Sequence, residues 1–336
     1  MKTTHSPQHD QVDDLLNSLA GVGHEMAKVI VGQQEVVRQL QVALLAGGHC
    51  LLEGVPGLAK TLMVQTLARC LDLSFTRIQF TPDLMPADLI GTEILRRGED
   101  GSASFEYQPG PVFTQVLLAD EINRTPPKTQ AALLEAMSER SVSYAGETRL
   151  LPAPFFVLAT QNPLEQAGTY PLPEAQLDRF LLLLNVAYPS HEEELAILNA
   201  TTGNREGKPQ ALLNAEQVLT LQSLARDVVI SETLVDYAAR LVRATRPGQS
   251  KIAEVDQYLR WGAGPRAGQA LVLTAKATAL LDGRFAVTEA DLRANAGPVL
   301  RHRLLPNFHA QADGVTADDL VDAVVRGEPR PASPLD

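Results

Sequence analysis

Apolar positions along this chain form short runs between helical stretches up to about residue 189, and helical stretches alone after it. Four largely apolar runs and one alternating segment have the length of β-strands, at residues 51–53, 116–119, 155–159, 180–184 and 74–80. Apolar strands that do not alternate and are separated by helices are typical of a parallel sheet covered on both faces. The first half of the chain is therefore predicted to be α/β.

Beyond residue 189 every strong signal is helical. Helical periodicity is present at residues 192–199, 215–227, 231–246, 266–281 and 288–300. Ser231 is a helix-capping residue, and Thr288 with Asp291 resembles a capping box. We predict four regions: a disordered leader at 1–11, an α/β domain at 12–188, an α-helical domain at 189–327 and a disordered tail at 328–336.

Two hairpins are predicted within the α/β domain. Residues 93–97 and 104–108 have strand character around a polar turn at 98–101, within an insertion spanning about 92–110. A plain surface loop is the alternative for this segment. The second hairpin spans about 141–151, with Ala145 and Gly146 at its turn.

The stretch from Gly54 to Thr61 has the composition of a phosphate-binding loop between a strand and a helix. Backbone N–H groups of such a turn and the following helix N-terminus attract phosphate. Lys60 can bridge the terminal phosphates, and the Thr61 hydroxyl can bind magnesium. Ala59 stands where the pattern G-x-x-x-x-G-K-[ST] has its last Gly, so the loop alone is an incomplete match.

Polar residues end two of the predicted strands. Asp120 and Glu121 follow an apolar run, and the carboxyl ends of parallel strands are where ligands collect. One carboxylate can hold magnesium while the other orients or deprotonates water; a helix cap is the alternative. Asn162 can hydrogen-bond a γ-phosphate, or it can be a turn residue in its Asn-Pro pair.

Two arginines are candidates for neutralising transition-state charge. Arg179 precedes a predicted strand, and its alternative is a surface ion pair with Asp178 or Glu174. Arg266 follows Pro265 at a helix start, a place from which it could reach phosphates. Taken alone, Arg266 is better explained as an ordinary surface residue.

Net charge, cysteine content and the lack of long apolar runs indicate what kind of protein this is. The chain has 336 residues and a formal net charge of −11, which disfavours nonspecific binding to nucleic acid or anionic membranes. The two cysteines, Cys50 and Cys70, lie among apolar residues without metal-ligand spacing, so we expect buried thiols and a reducing compartment. There is no basic stretch followed by an apolar run at the N-terminus, and no apolar run long enough to span a bilayer. We expect a cytoplasmic protein.

Together these residues resemble, in chain order, the AAA+ ATPases and most closely the MoxR family. The resemblance extends from about Ile30 to about Pro306, and an Ala at position 59 is usual in that family. It rests on five segments: 54–61, 79–92, 118–124, 159–163 and 172–180.

The resemblance implies an ATPase with a five-stranded parallel core, an α-helical lid, and assembly into a ring that is usually a hexamer. It implies ATP and magnesium as cofactors. Implied ATP-binding residues are Ile30, Val31, Gly32, Gly54, Val55, Pro56, Gly57, Leu58, Ala59, Lys60, Thr61, Leu62 and Arg266. Implied magnesium ligands are Thr61 and Asp120. Implied catalytic residues are Lys60, Glu121 (water activation), Asn162 (sensor 1), Arg266 (sensor 2) and Arg179, the arginine finger acting on the neighbouring subunit's ATP.

The resemblance also implies a function. Relatives are chaperones that remodel or mature separate partner proteins, some carrying von Willebrand factor A domains and some linked to metal insertion, and both hairpins would face the ring pore. Arg124 and Arg140 are further candidates for a subunit interface. Three other functions are open: a nucleic-acid motor of the same clade, a small-molecule kinase, and a nucleotide-gated scaffold. The first is disfavoured because Arg96 and Arg97 are followed by Glu99 and Asp100.

Overall fold

The structure, a computed structural model, describes residues 7–55, 57–97, 103–162, 168–202 and 207–331. Its strands are β1 Cys50–Glu53, β2 Phe75–Gln79, β3 Gly91–Arg97, β4 Ala103–Pro109, β5 Val116–Asp120, β6 Ser141–Tyr144, β7 Glu147–Leu150, β8 Phe156–Gln161, β9 Leu182–Asn185, β10 Leu259–Trp261 and β11 Leu305–Pro306. Its helices are α1 Pro7–Ala27, α2 Gln34–Leu45, α3 Lys60–Cys70, α4 Pro86–Ile90, α5 Pro127–Glu139, α6 Glu174–Leu177, α7 His191–Thr201, α8 Ala215–Asp227, α9 Glu232–Ala244, α10 Ala253–Tyr258, α11 Pro265–Leu281, α12 Glu289–Leu300, α13 Phe308–Asp313 and α14 Ala317–Gly327. Two 3-10 turns occupy Ile122–Arg124 and Arg301–Arg303.

Five strands form one parallel sheet in the order β2-β5-β8-β1-β9. Successive residues of a strand enter opposite cores: Leu52 packs with residues of α2, α3 and α11, whereas Leu51 packs with residues of α4 and α5. Both faces of the sheet are thus covered, which explains why its strands have apolar residues at consecutive positions. The predicted α/β class and five-stranded parallel core are confirmed.

The first helix begins within the predicted leader. Helix α1 extends from Pro7 to Ala27 and continues through Gly21 and Gly23 without a break. The end of the predicted leader is therefore helical, and residues 1–6 lie outside the described residues. At the other end α14 closes at Gly327, where the predicted tail begins, and residues 332–336 are likewise outside the description.

The α-helical region after residue 189 is confirmed as a lid of packed helices. It contains three helices beyond the five predicted ranges, α10, α13 and α14, and the small antiparallel pair of β10 with β11. Helix α2 packs against both α8 and α11, so one apolar core continues across residue 189. The domain boundary there stays a prediction. Across the described residues, none of the helices has the length and apolar character needed to cross a bilayer.

Both predicted hairpins are present as β3 with β4 and β6 with β7. The turn of the first, residues 98–102, lies outside the described residues. The guanidinium of Arg149 lies 4.0 Å above the Tyr107 ring, and the Tyr107 and Tyr144 rings are 5.6 Å apart. These cation–π and aromatic contacts join the two hairpins to each other. Cys50 and Cys70 are buried free thiols.

Candidate nucleotide-binding site

The sheet register brings four strand ends together. Gln79 of β2 pairs with Asp120 of β5, and Glu53 of β1 pairs with Gln161 of β8. The loop after β1, the Asp120–Glu121 pair and the end of β8 therefore lie at one edge of the sheet. This edge is where ligands bind in open parallel sheets.

The loop from Gly54 to Thr61 turns from β1 into α3. Gly57 has φ 88° and Ala59, the residue before the helix, has φ 55°. The left-handed conformation at Ala59 explains why Gly is usual there, since a Cβ makes it costly. Lys60 Nζ donates a 2.5 Å hydrogen bond to the Gly54 carbonyl, so the loop closes on itself. Val55 lies within the loop, and Pro56 lies outside the described residues.

A cavity of about 460 Å³ opens at this edge and gathers most of the predicted chemistry. Its lining from the loop and α3 is Gly57, Leu58, Ala59, Lys60, Thr61 and Leu62. Its lining from the strand ends is Arg77, Gln79, Asp120, Glu121, Thr160 and Asn162. The cavity therefore combines backbone N–H donors, a lysine, a hydroxyl and two carboxylates, a set that suits a polyphosphate.

Each carboxylate has neighbours on other strands. Asp120 Oδ2 accepts from Nη2 of Arg77 at 2.6 Å, and its Oδ1 accepts from the Thr160 hydroxyl at 2.6 Å. Glu121 Oε2 accepts from the Gln79 amide at 2.6 Å and is 3.1 Å from Nε of Arg124. These contacts fix both carboxyl groups and offset their mutual repulsion.

The backbone of Glu121 is also unusual. It has φ 58°, a left-handed conformation that costs a non-glycine residue on the order of 1 kcal/mol. Its N–H donates to the Thr160 hydroxyl at 2.8 Å, which holds the strained conformation. Strain retained in this way at a strand end is typical of a functional residue.

Sequence reasoning missed Arg77, Gln79 and Thr160. Residues 77 and 79 alternate on one face of a strand, so both side chains point to the same side. Polar residues at the carboxyl end of a predicted parallel strand were the available signal. Thr160 belongs to the segment 159–163 used for the resemblance, where only Asn162 received a role.

Burial and neighbouring charges shift the pKa of Lys60 in opposite directions. Desolvation lowers the pKa of Lys60, while the nearby Asp120, Glu121 and Glu53 oppose this change. Burial raises the pKa of Glu53 at the end of β1, with Arg301 and Lys60 opposing. A phosphate entering the cavity would supply the lysine with the counter-charge that burial makes valuable.

An apolar cavity of about 140 Å³ adjoins the loop and has the character of a base-binding pocket. It shares Gly57, Leu58, Ala59 and Leu62 with the polar cavity. Its lining includes Ile30 and Val31, two of the residues predicted to bind ATP. Gly32 instead lines a neighbouring cavity of about 490 Å³ together with Ile30 and Val31. Gly32 has φ 70°, and an added Cβ would lie 2.3 Å from Glu193 Oε1, so this turn requires glycine.

The donors in the polar cavity fit magnesium. Thr61 and Asp120 offer one hydroxyl and one carboxylate, and magnesium is usually held by one or two carboxylates together with phosphate oxygens and water. Within the described parts of the chain, no group of three or more His, Cys, Asp or Glu residues forms a metal cage. A metal at this site would therefore depend on the phosphates for its remaining ligands.

The two predicted arginines do not join these cavities. Nη1 of Arg179 donates to the Leu134 carbonyl and the Ser138 hydroxyl of α5, both at 2.7 Å. Arg266 is 62% exposed and its Nη1 lies 3.7 Å from Asp178 Oδ2. Of the two interface candidates, Arg124 pairs with Glu121, and Arg140 donates to the Gly47 carbonyl at 3.0 Å.

Comparison with known proteins identifies the family of this chain. Residues 49–182 match the ATPase family associated with various cellular activities (AAA), and residues 252–324 match the AAA lid domain. The chain is similar to Chaperone MoxR1 of Mycobacterium tuberculosis, at 44% identity over 96% of this chain and 86% of that protein. It is similar to Protein MoxR of Methylorubrum extorquens, at 32% identity over 98% of this chain and 99% of that protein.

A solved structure from Cytophaga hutchinsonii has the same fold, with a TM-score of 0.89 and 41% identity over 97% of this chain and 98% of that one. The phosphate loop, the paired carboxylates and the helical lid thus occur in one chain with full-length relatives. This protein belongs to the MoxR family of AAA+ ATPases.

Proposed function

We propose that this protein is a magnesium-dependent ATPase that assembles into a ring, normally a hexamer, and uses ATP hydrolysis to remodel or mature separate partner proteins in the cytoplasm. One observation carries the proposal. The polar cavity is lined by the phosphate loop, Glu121 and Asn162, whereas Arg179, the candidate arginine finger, lies against α5 outside it. A site completed by a neighbour's arginine requires assembly.

The residues of the cavity divide the chemistry. Lys60 exchanges the Gly54 carbonyl for the terminal phosphates of ATP, a bond that relieves the cost of its burial. Thr61 and Asp120 hold magnesium, which neutralises phosphate charge when bound. Glu121 accepts a proton from the attacking water, and Asn162 orients the water or the γ-phosphate. Arg179 of an adjacent subunit stabilises the charge that develops in the transition state.

Partner proteins are proposed to contact the two hairpins. Leu95 and Phe105 face each other across the first hairpin and are 54% and 73% exposed. Exposed apolar side chains on a projecting element are typical of a protein-binding surface. The chaperone named above supports a protein client. A partner with a von Willebrand factor A domain, and a role in metal insertion, are the specific forms we propose to test.

Mixed rings test the arrangement between subunits. Glu121→Gln should keep ATP binding and lose turnover, and Arg179→Ala should lose turnover while its own pocket stays intact. Mixing the two chains should restore ATPase activity, because Glu121→Gln subunits supply arginines to intact pockets. Arg243→Ala, at an exposed position of α9, is the control and should keep full activity. Absence of restored activity in mixed rings would contradict an arginine acting between subunits.

Client identity is tested by affinity capture with Glu121→Gln in ATP, which should retain a bound partner. Adding Phe105→Ser to the same chain should reduce the captured amount without changing ATP binding. Equal capture by both chains would contradict the hairpin as the contact. ATPase activity stimulated by DNA at physiological salt would instead favour a nucleic-acid motor.

A further inference from the structure

The segment that carries Arg179 is fixed from the lid. It lies between α6 and β9, and β9 is the outer strand of the sheet, paired only with β1 among the described residues. The other side of this segment faces the 3-10 turn Arg301–Arg303 of the lid. Nη2 of Arg303 donates to the Phe180 carbonyl at 2.7 Å, and its Nη1 donates to the Leu181 carbonyl at 3.2 Å.

Asp178 forms ion pairs with two arginines of the lid. Its Oδ1 accepts from Nε of Arg303 at 2.8 Å, and its Oδ2 lies 3.7 Å from Nη1 of Arg266. The Arg303 side chain is 4% exposed, whereas that of Arg266 is 62% exposed. A buried charge pair is costly to separate, and an exposed pair at this distance is weak. Arg303 is therefore the permanent partner of Asp178, and Arg266 is an exchangeable one.

The guanidinium of Arg303 thus binds the residues on both sides of Arg179. The residue before it is bound through its carboxylate and the residue after it through its carbonyl, both by Arg303. Its own side chain is bound only to α5 in the hydrogen bonds described above. The lid therefore binds the chain on both sides of Arg179, while the Arg179 guanidinium rests on the α/β domain.

We propose that Asp178 and Arg303 are positioning residues that fix the backbone of Arg179 to the lid, so that the lid of one subunit sets the orientation of the arginine offered to the next. This inference rests on the proposed function, in which Arg179 acts on a neighbouring site. When ATP draws Arg266 away from Asp178, the pair with Arg303 keeps the lid and the Arg179 segment together. Lid closure in one subunit thereby alters turnover in its neighbour.

Arg303→Lys tests the inference while keeping the positive charge. A lysine is a point charge and cannot bridge a carboxylate and two carbonyls as the planar guanidinium does. Arg301→Lys is a matched control in the same turn, because Arg301 donates to Leu183 and Asp318 but not to the Arg179 segment. The isosteric Asp178→Asn is the second variant, and thermal unfolding is measured for all three chains.

The expected result is a tenfold or greater loss of ATPase activity in Arg303→Lys, with the affinity for a fluorescent ATP analogue unchanged within twofold. Mixing with Glu121→Gln subunits should restore activity, because those subunits supply correctly placed arginines. Arg301→Lys should stay within twofold of the starting activity. Adding Arg303→Lys to Arg179→Ala should cause no further loss, since both changes act through one group.

Two results would overturn the inference. One is ATPase activity in both Arg303→Lys and Asp178→Asn equal to that of Arg301→Lys. The other is a loss that Glu121→Gln subunits do not rescue although they rescue Arg179→Ala, which would place the defect in the variant's own pocket. If Arg179→Ala itself is not rescued, the arrangement between subunits fails, and this inference fails with it.

Discussion

The amide of Gln79 donates a 2.6 Å hydrogen bond to Oε2 of Glu121, linking the ends of two adjacent strands through the residue proposed to activate water. This bond occupies one acceptor position of the Glu121 carboxylate and restrains its orientation. The Glu121 carboxylate is therefore restrained by a side chain of the site itself.

Gln79→Leu should raise ATPase turnover at saturating ATP by up to about tenfold, because a hydrogen bond to a charged group contributes ~1.5 kcal/mol. Steady-state phosphate release measures this. Thr76→Val, on the opposite face of β2, is the control and should leave turnover unchanged. A fall in turnover for Gln79→Leu would mean that the amide serves the reaction instead of restraining it.

Arg77 should compete with magnesium for Asp120. Its guanidinium lies 2.6 Å from Oδ2, with the arginine side chain 47% exposed. Arg77→Gln should lower the magnesium concentration that gives half-maximal binding of a fluorescent ATP analogue by about fivefold, since such a partly exposed pair is worth ~1 kcal/mol. A higher magnesium requirement in this variant would instead indicate that Arg77 holds phosphate.

Ala59→Gly should stabilise the protein by about 1 kcal/mol, because glycine adopts the left-handed conformation without a Cβ penalty. Denaturant unfolding without nucleotide measures the change. Ala68→Gly, in the buried interior of α3, should instead destabilise by about 1 kcal/mol. A destabilised Ala59→Gly would contradict the presence of strain in the loop.

Lowering the pH should reduce the free energy of unfolding, because two histidines are buried in the folded protein. The His49 ring donates from Nε2 to the Met137 carbonyl and accepts the Val157 N–H at Nδ1, and burial lowers its pKa to about 4. Above pH 6.5 the ring is neutral in both the folded and the unfolded state. Between pH 6.5 and about 4 only the unfolded state binds a proton, so the free energy of unfolding falls by up to about 3 kcal/mol.

The check is urea unfolding at several pH values. Burial also holds the pKa of His302 well below its ordinary value, so two protons contribute in this range. His49→Gln can keep a donor and an acceptor. It should reduce the slope of the free energy of unfolding against pH by the contribution of one proton. An unchanged slope would show that His49 is protonated in the folded protein.

The sequence predicted those features that depend on neighbours along the chain. The apolar strands, the loop at Gly54–Thr61 and the hairpin turn at Ala145 and Gly146 are each coded within about ten residues. Contacts between strand ends could not be predicted from the sequence. Pairing Gln79 with Asp120 requires the register of two strands separated by forty residues. Charge pairs across the lid were equally hidden. Asp178 was considered as a partner for its neighbour Arg179, whereas its partners are Arg303 and Arg266.

Because Arg149 of one hairpin stacks on Tyr107 of the other, we expect the two hairpins to move together. Helix α5 runs from the turn after Glu121 to the start of β6 and spans about 20 Å at 1.5 Å per residue. A small rotation of its first turn is magnified at its far end. Because β6 and β7 are joined to β3 and β4 by aromatic contacts, such a lever moves both hairpins together.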